Sequence, residues 1–104
     1  LRGIPLSPGT YEGTIRVVLD PVENQLQAGE IMVTESTNPA WTPLFAQAKG
    51  LVTDIGGALA HGSIVAREYG IPAVMGTGVA TKRIADGQMI TVDGGAGTVQ
   101  LRPK

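Results

Sequence analysis

Gly56-Gly57-Ala58-Leu59-Ala60-His61-Gly62-Ser63-Ile64-Val65-Ala66-Arg67-Glu68-Tyr69-Gly70-Ile71-Pro72-Ala73-Val74 holds the only histidine of this 104-residue chain. Gly56 and Gly57 let the backbone turn sharply after the apolar run Leu51-Val52, because a residue without Cβ reaches conformations closed to the others. The pattern beyond His61 predicts a short helix that Gly70 ends and Pro72 keeps from restarting. His61 then stands where a loop becomes a helix. At such a place the first N–H groups lack intrahelical acceptors and the peptide dipoles sum to a partial positive charge, so a dianion on or near the ring is stabilised. Neutral imidazole is a nucleophile near pH 7 and its bond to phosphorus is labile, so a phosphorylated His61 suits the position.

Working outward from that stretch, the flanks read as short elements. Gly3 to Gly9 runs extended and then turns, punctuated by two prolines and two glycines. Tyr11 to Leu19 alternates loosely as a strand, with Gly13 a candidate bulge or close backbone approach. Residues 20–29 read as a solvated loop with Leu26 as its core anchor, and Ile31–Thr34 as a buried strand. Thr42-Pro43 offers an N-cap followed by proline at the first helical position, which predicts a short helix over Leu44–Lys49 ended by Gly50. Leu51–Asp54 is then a strand that delivers the chain to the glycine turn. Trp41 and Phe45, four apart, form either a core patch beside the histidine loop or a docking surface.

Beyond the histidine helix, Ala73–Met75 reads as a buried strand and residues 81–84 as an exposed linker or helical turn. Gln88–Val92 and Thr98–Leu101, joined through Gly94-Gly95-Ala96-Gly97, form a C-terminal β-hairpin. Strands, short helices between them and a final hairpin imply a compact mixed α/β domain. One hundred and four residues, 42% of them hydrophobic, support one core and not two, so residues 1–104 form a single domain.

Composition excludes several classes of function. A net charge of −1 gives no footprint for nucleic acid or an acidic membrane surface. No apolar run approaches the roughly 20 residues that cross a bilayer, and no export signal opens the chain, so it reads as cytoplasmic. The lack of cysteine removes disulfides, cysteine-ligated zinc and thiol chemistry, and a lone histidine argues against a histidine-based metal site. The start at Leu1 and the end at Leu101-Arg102-Pro103-Lys104 read as a domain taken from a longer protein.

Around His61 the residues leave alternatives open. Ser63 either donates its hydroxyl to phosphoryl oxygens or caps the helix. Arg67, six residues after His61, is about one and two-thirds turns along the helix and off its face. It either pairs with Glu68 or another carboxylate or meets a docking partner. Glu68 lies more nearly beneath His61, where a solvated helix face explains it as well. Gly57 to Ser63 has nearly the spacing of a nucleotide-binding phosphate loop, but lacks the lysine that meets the phosphates, so ATP binding by this segment is rejected.

Gly-Gly-x-x-x-His at 56–61, followed by Ile-Val-Ala-Arg-Glu-Tyr-Gly-Ile-Pro-Ala-Val-Met-Gly at 64–76, resembles the mobile phosphohistidine domain of the phosphoenolpyruvate-utilising enzymes. These are pyruvate phosphate dikinase, phosphoenolpyruvate synthase and enzyme I of the sugar phosphotransferase system, with the rifamycin phosphotransferases beside them. Asn-Pro-Ala-Trp-Thr-Pro-Leu-Phe at 38–45 is most similar to the synthase and rifamycin branches.

The resemblance implies a swivelling β/β/α fold. It also implies a phosphocarrier role in which His61 is transiently phosphorylated, with Gly62, Ser63 and Arg67 stabilising the phosphoryl group and Gly56 and Gly57 shaping the loop. It implies partners in the nucleotide-binding and acceptor-binding domains of one parent enzyme, and Mg²⁺ with ATP or phosphoenolpyruvate on those domains rather than on this one. Many members of the family place a hydroxyl or thiol one or two positions before the histidine, where this chain has Leu59 and Ala60. That departure supports the rival reading, a structural or regulatory module that keeps the fold without carrying phosphate.

Overall fold

Every residue of Ile31–Thr34, Gly50–Thr53 and Ala73–Met75 is buried. Strands that are buried throughout must be covered on both faces, which is the condition of a parallel sheet between layers. The computed structural model describes residues 1–22, 26–57 and 60–102, and shows that condition met. In chain order the strands are β1 (Ile4–Ser7), β2 (Thr10–Val17), β3 (Ile31–Thr34), β4 (Gly50–Thr53), β5 (Ala73–Met75), β6 (Met89–Asp93) and β7 (Thr98–Leu101). They form one sheet in the order β1-β5-β4-β3-β2-β6-β7. Neighbours from β2 to β5 are parallel, and the pairs β1–β5, β2–β6 and β6–β7 are antiparallel.

The sheet curls until its ends meet. Arg2 bridges to Thr98, and the Gly3 N–H donates to the Gly97 carbonyl at 2.9 Å. Gly94 and Gly97 permit this, since a Cβ on Gly94 would lie 1.8 Å from the Ser7 carbonyl oxygen and one on Gly97 2.7 Å from that of Gly3.

Two-residue periodicity sorts the buried strands between two cores. Met32, Leu51, Ala73 and Met75 face a helical layer containing Trp41, Leu44, Phe45, Val65 and Ala66. Ile31, Val33, Val52 and Val74 face the concave side with Ile15, Ile90 and Val92. Each fully buried aliphatic side chain contributes about 1.5–3 kcal/mol of transfer free energy, so these central strands dominate the stability. Helix α1 (His61–Tyr69) lies on the first side and α2 (Ala80–Arg83) on the second. The mixed α/β class, the short helices and the C-terminal hairpin agree with the sequence.

Local expectations met different fates. The N-terminal stretch does more than run extended, because its residues 4–7 pair with β5. Gly13 keeps regular register with Ile90, so it is no bulge. The Tyr11 ring covers it, 2.6 Å from where a Cβ would sit. The predicted helix over 44–49 is instead a 3₁₀ helix over Pro39–Ala46. Its N-cap is Asn38, whose side chain accepts from the Ala40 N–H at 2.9 Å, with Pro39 next. Asn38-Pro39 is the same cap-and-proline signal as Thr42-Pro43, four residues earlier, and Pro43 without its N–H cannot donate to an α-helical ladder. Gly50 opens β4 rather than ending that helix.

Candidate functional site

The loop that carries the histidine is anchored before it begins. Past the end of β4, the N–H groups of Asp54 and Ile55 donate to the carbonyls of Thr34 and Glu35 at 3.1 and 2.9 Å, extending the pairing with β3 into the turn. Gly56 follows with φ +152°, and a Cβ on it would sit 2.9 Å from Met75 Sδ. Gly57 differs, because nothing lies within 4 Å of where its Cβ would be. Of the two glycines expected to shape the loop, steric need singles out Gly56. The Gly57 carbonyl accepts the Ala60 N–H at 2.9 Å.

Ala60 is the N-cap of α1, extended at φ −68° and ψ 147°, with no side-chain capping bond. Its carbonyl accepts the N–H groups of Ser63 at 3.1 Å and Ile64 at 3.3 Å. The helix ends as read from the sequence, with Gly70 at φ 71° and ψ 26° donating to the Ala66 and Arg67 carbonyls.

His61 is the first residue of α1 and half-buried. Both ring nitrogens have hydroxyl neighbours: Thr37 Oγ1 at 3.3 Å from Nδ1 and Thr42 Oγ1 at 3.0 Å from Nε2. Phe45 stands edge-on to the ring at 6.1 Å and 79°, and Tyr69 packs on Phe45 at 6.2 Å. Trp41 and Phe45 are buried at 5% and 1% exposure, so of their two readings the core patch is the one seen, with Phe45 beside the histidine.

The remaining site residues take distinct places. Gly62 is buried, and a Cβ on it would fall 2.6 Å from Thr37 Oγ1 and 2.7 Å from Met75 Cε. Ser63 is fully buried, and among the described residues its hydroxyl has no hydrogen-bond partner. The capping alternative for Ser63 is therefore corrected, since Ala60 occupies the cap, and the Ser63 N–H expected to face a phosphoryl group donates to Ala60 instead. Arg67 lies in the last turn, exposed, roughly 9 Å farther along the axis than His61 at 1.5 Å per residue. Glu68 is exposed as well. Ala60 packs against the helical core, and Leu59 lies outside the described residues.

The sequence did not point to Thr37 and Thr42 as neighbours of the ring. Hydroxyls at or near a proline are the ordinary signal of turns and caps, and no local pattern announces that two of them close on a ring from 24 and 19 residues away. Among the described residues, no group of three or more His, Cys, Asp or Glu side chains is placed to hold a metal ion. No described helix is long and apolar enough to cross a membrane.

The arrangement is a half-exposed imidazole at a helix start, oriented by two neutral hydroxyls. Such a ring can offer a lone pair to an electrophile once the hydroxyl at that nitrogen moves aside.

Comparison with known proteins adds the family. The family described as PEP-utilising enzyme, mobile domain, matches residues 26–97. Rifampicin phosphotransferase of Streptomyces sviceus is 52% identical over 101 residues, covering 97% of this chain and 12% of that protein. Phosphoenolpyruvate synthase of Aeropyrum pernix is 48% identical over 101 residues, again 12% of its length. The chain thus spans about an eighth of these relatives. A solution structure of enzyme I is similar with a TM-score of 0.66 and 32% identity, over 77% of this chain and 33% of that one. Aconitase X of Thermococcus kodakaraensis shares the fold, with a TM-score of 0.75 at 20% identity over 98% of this chain and 97% of that one.

Proposed function

The chain belongs to the family of the mobile domain of phosphoenolpyruvate-utilising enzymes, and on that premise we propose that it is a phosphocarrier whose covalent carrier is His61. The observation that carries this reading is the placement of the ring: first residue of α1, half-exposed, with one hydroxyl at each nitrogen. The lone pair of the unprotonated ring nitrogen forms the N–P bond as the donor's leaving oxygen departs with its bonding electrons. Attack by an acceptor oxygen then breaks that bond and returns the ring to its starting state. The dipole of α1 favours the dianion on the ring.

Donor and acceptor sites belong to neighbouring domains of a larger enzyme. The relatives that share this domain are named for phosphorylating rifampicin and for making phosphoenolpyruvate, so the acceptor is set by what surrounds the domain. On this reading Mg²⁺ with a nucleotide or phosphoenolpyruvate belongs to those surroundings. The rival reading, a module that no longer carries phosphate, drew its support from the missing hydroxyl before His61. Thr37 and Thr42 place hydroxyls against the ring from another segment, which favours the carrier reading.

Peptide mapping of the complete enzyme after brief incubation with Mg²⁺ and each donor tests the assignment. The account expects the added phosphoryl mass on the peptide containing residues 61–67. Phosphoryl mass confined to another peptide defeats it.

A further inference from the structure

We propose that Thr37 is a positioning residue that fixes the tautomer and rotation of the His61 ring, and that Gly62 is the glycine that makes this possible. The inference takes the purpose of that positioning from the phosphocarrier reading. Its geometry stands apart from that reading.

A neutral imidazole has one N–H and one lone pair, and which nitrogen carries the proton follows from the hydrogen bonds offered to each. Each hydroxyl facing the His61 ring can donate or accept, so the pair at Nδ1 and Nε2 defines two complementary patterns, one per tautomer. A hydroxyl selects between them only if its oxygen is held in place.

Thr37 is held. Its Oγ1 lies so close to Gly62 that a Cβ there would be 2.6 Å away, and the same Cβ would meet Met75 Cε at 2.7 Å and Leu51 Cδ2 at 3.3 Å. Met75 and Leu51 are 1% and 0% exposed, part of the helical core, so the wall behind the contact is packed and does not yield. The Thr37 oxygen therefore rests on the bare Cα next to the histidine, and 3.3 Å from the ring nitrogen.

The backbone around Thr37 is pinned as well. On one side the Glu35 carbonyl accepts the Ile55 N–H at 2.9 Å, and on the other Asn38 caps the 3₁₀ helix with its side chain and accepts the Trp41 N–H at 2.9 Å. Any side chain at position 62 would push the Thr37 hydroxyl off the ring or lift the start of α1 from the core.

The test reads the ring directly, and the single histidine makes its spectrum unambiguous. Imidazole ¹⁵N shifts of the 104-residue chain are recorded where the ring is neutral, for wild type, Thr37→Val, Thr37→Ser and Gly62→Ala. Wild type is expected to show two widely separated shifts from one dominant tautomer. Thr37→Ser keeps them, whereas Thr37→Val and Gly62→Ala bring the two shifts toward each other as tautomers exchange. Wild-type shifts that are already averaged overturn the proposal without any variant. So do unchanged shifts in folded Thr37→Val or Gly62→Ala, or Thr37→Ser behaving as Thr37→Val. Because the protein is unphosphorylated throughout, a failure here is separate from a failure to find phosphohistidine.

Discussion

Thr42 Oγ1 stands 3.0 Å from Nε2 of His61 across 19 residues of sequence. The His61 ring is thus contacted by the segment that precedes β4 as well as held by its own loop. Losing one neutral hydrogen bond costs about 0.5–1.5 kcal/mol, which corresponds to roughly a 2- to 13-fold change in an equilibrium or rate. Thr42→Val in the complete enzyme is expected to slow phosphorylation of His61 by about that factor, while Thr42→Ser stays within roughly twofold of wild type. Rapid quenching with radiolabelled donor measures both rates. Equal rates for valine and serine would mean that the hydroxyl does not orient the ring in the reacting state.

Gly56 and Gly57 look alike in sequence but should respond differently to alanine. Gly56 has φ +152° and Met75 Sδ at 2.9 Å from a built Cβ, whereas the space around Gly57 is open. Backbone strain of this kind costs on the order of 1–3 kcal/mol, so Gly56→Ala should lower the stability by at least that much. Gly57→Ala should remain within about 0.5 kcal/mol, as for other substitutions away from a packed feature. Urea unfolding of the two variants decides the matter, and similar losses in both would contradict the loop geometry.

Ser63 is fully buried, with a hydroxyl that has no partner among the described residues. An unsatisfied buried polar group costs roughly 1–3 kcal/mol, so Ser63→Ala should stabilise the domain by about 1 kcal/mol. For a domain of this size that raises Tm by roughly 4–8 °C. Phosphohistidine lifetime should not change, since the hydroxyl is enclosed. A shorter lifetime with an unchanged Tm would return Ser63 to the phosphoryl group.

Much of the fold was legible because the signals were local. Ile31–Thr34 and Ala73–Met75 are short apolar runs between turns, and Gly70 sits one residue past an amphipathic segment. The site was legible in part, through the histidine in its glycine frame. What the residues did not reveal depends on long-range placement. The hydroxyls that stand against the ring are those of Thr37 and Thr42, which a local reading assigns to a turn and a cap. The helix start was misplaced because Asn38-Pro39 and Thr42-Pro43 carry equal signals, and only packing of Trp41 and Phe45 into the core selects the earlier one. The closing of the sheet by Arg2 on Thr98 joins the two ends of the chain, beyond the reach of periodicity.

The central claim is that His61 alone carries the phosphoryl group. The most direct measurement is the stoichiometry and chemical stability of phosphate bound to the complete enzyme, wild type and His61→Asn, after incubation with Mg²⁺ and labelled donor. The account predicts close to one phosphate per wild-type chain, lost in acid and retained in alkali, and background labelling in His61→Asn. Acid-stable label, or label retained in folded His61→Asn, would contradict it.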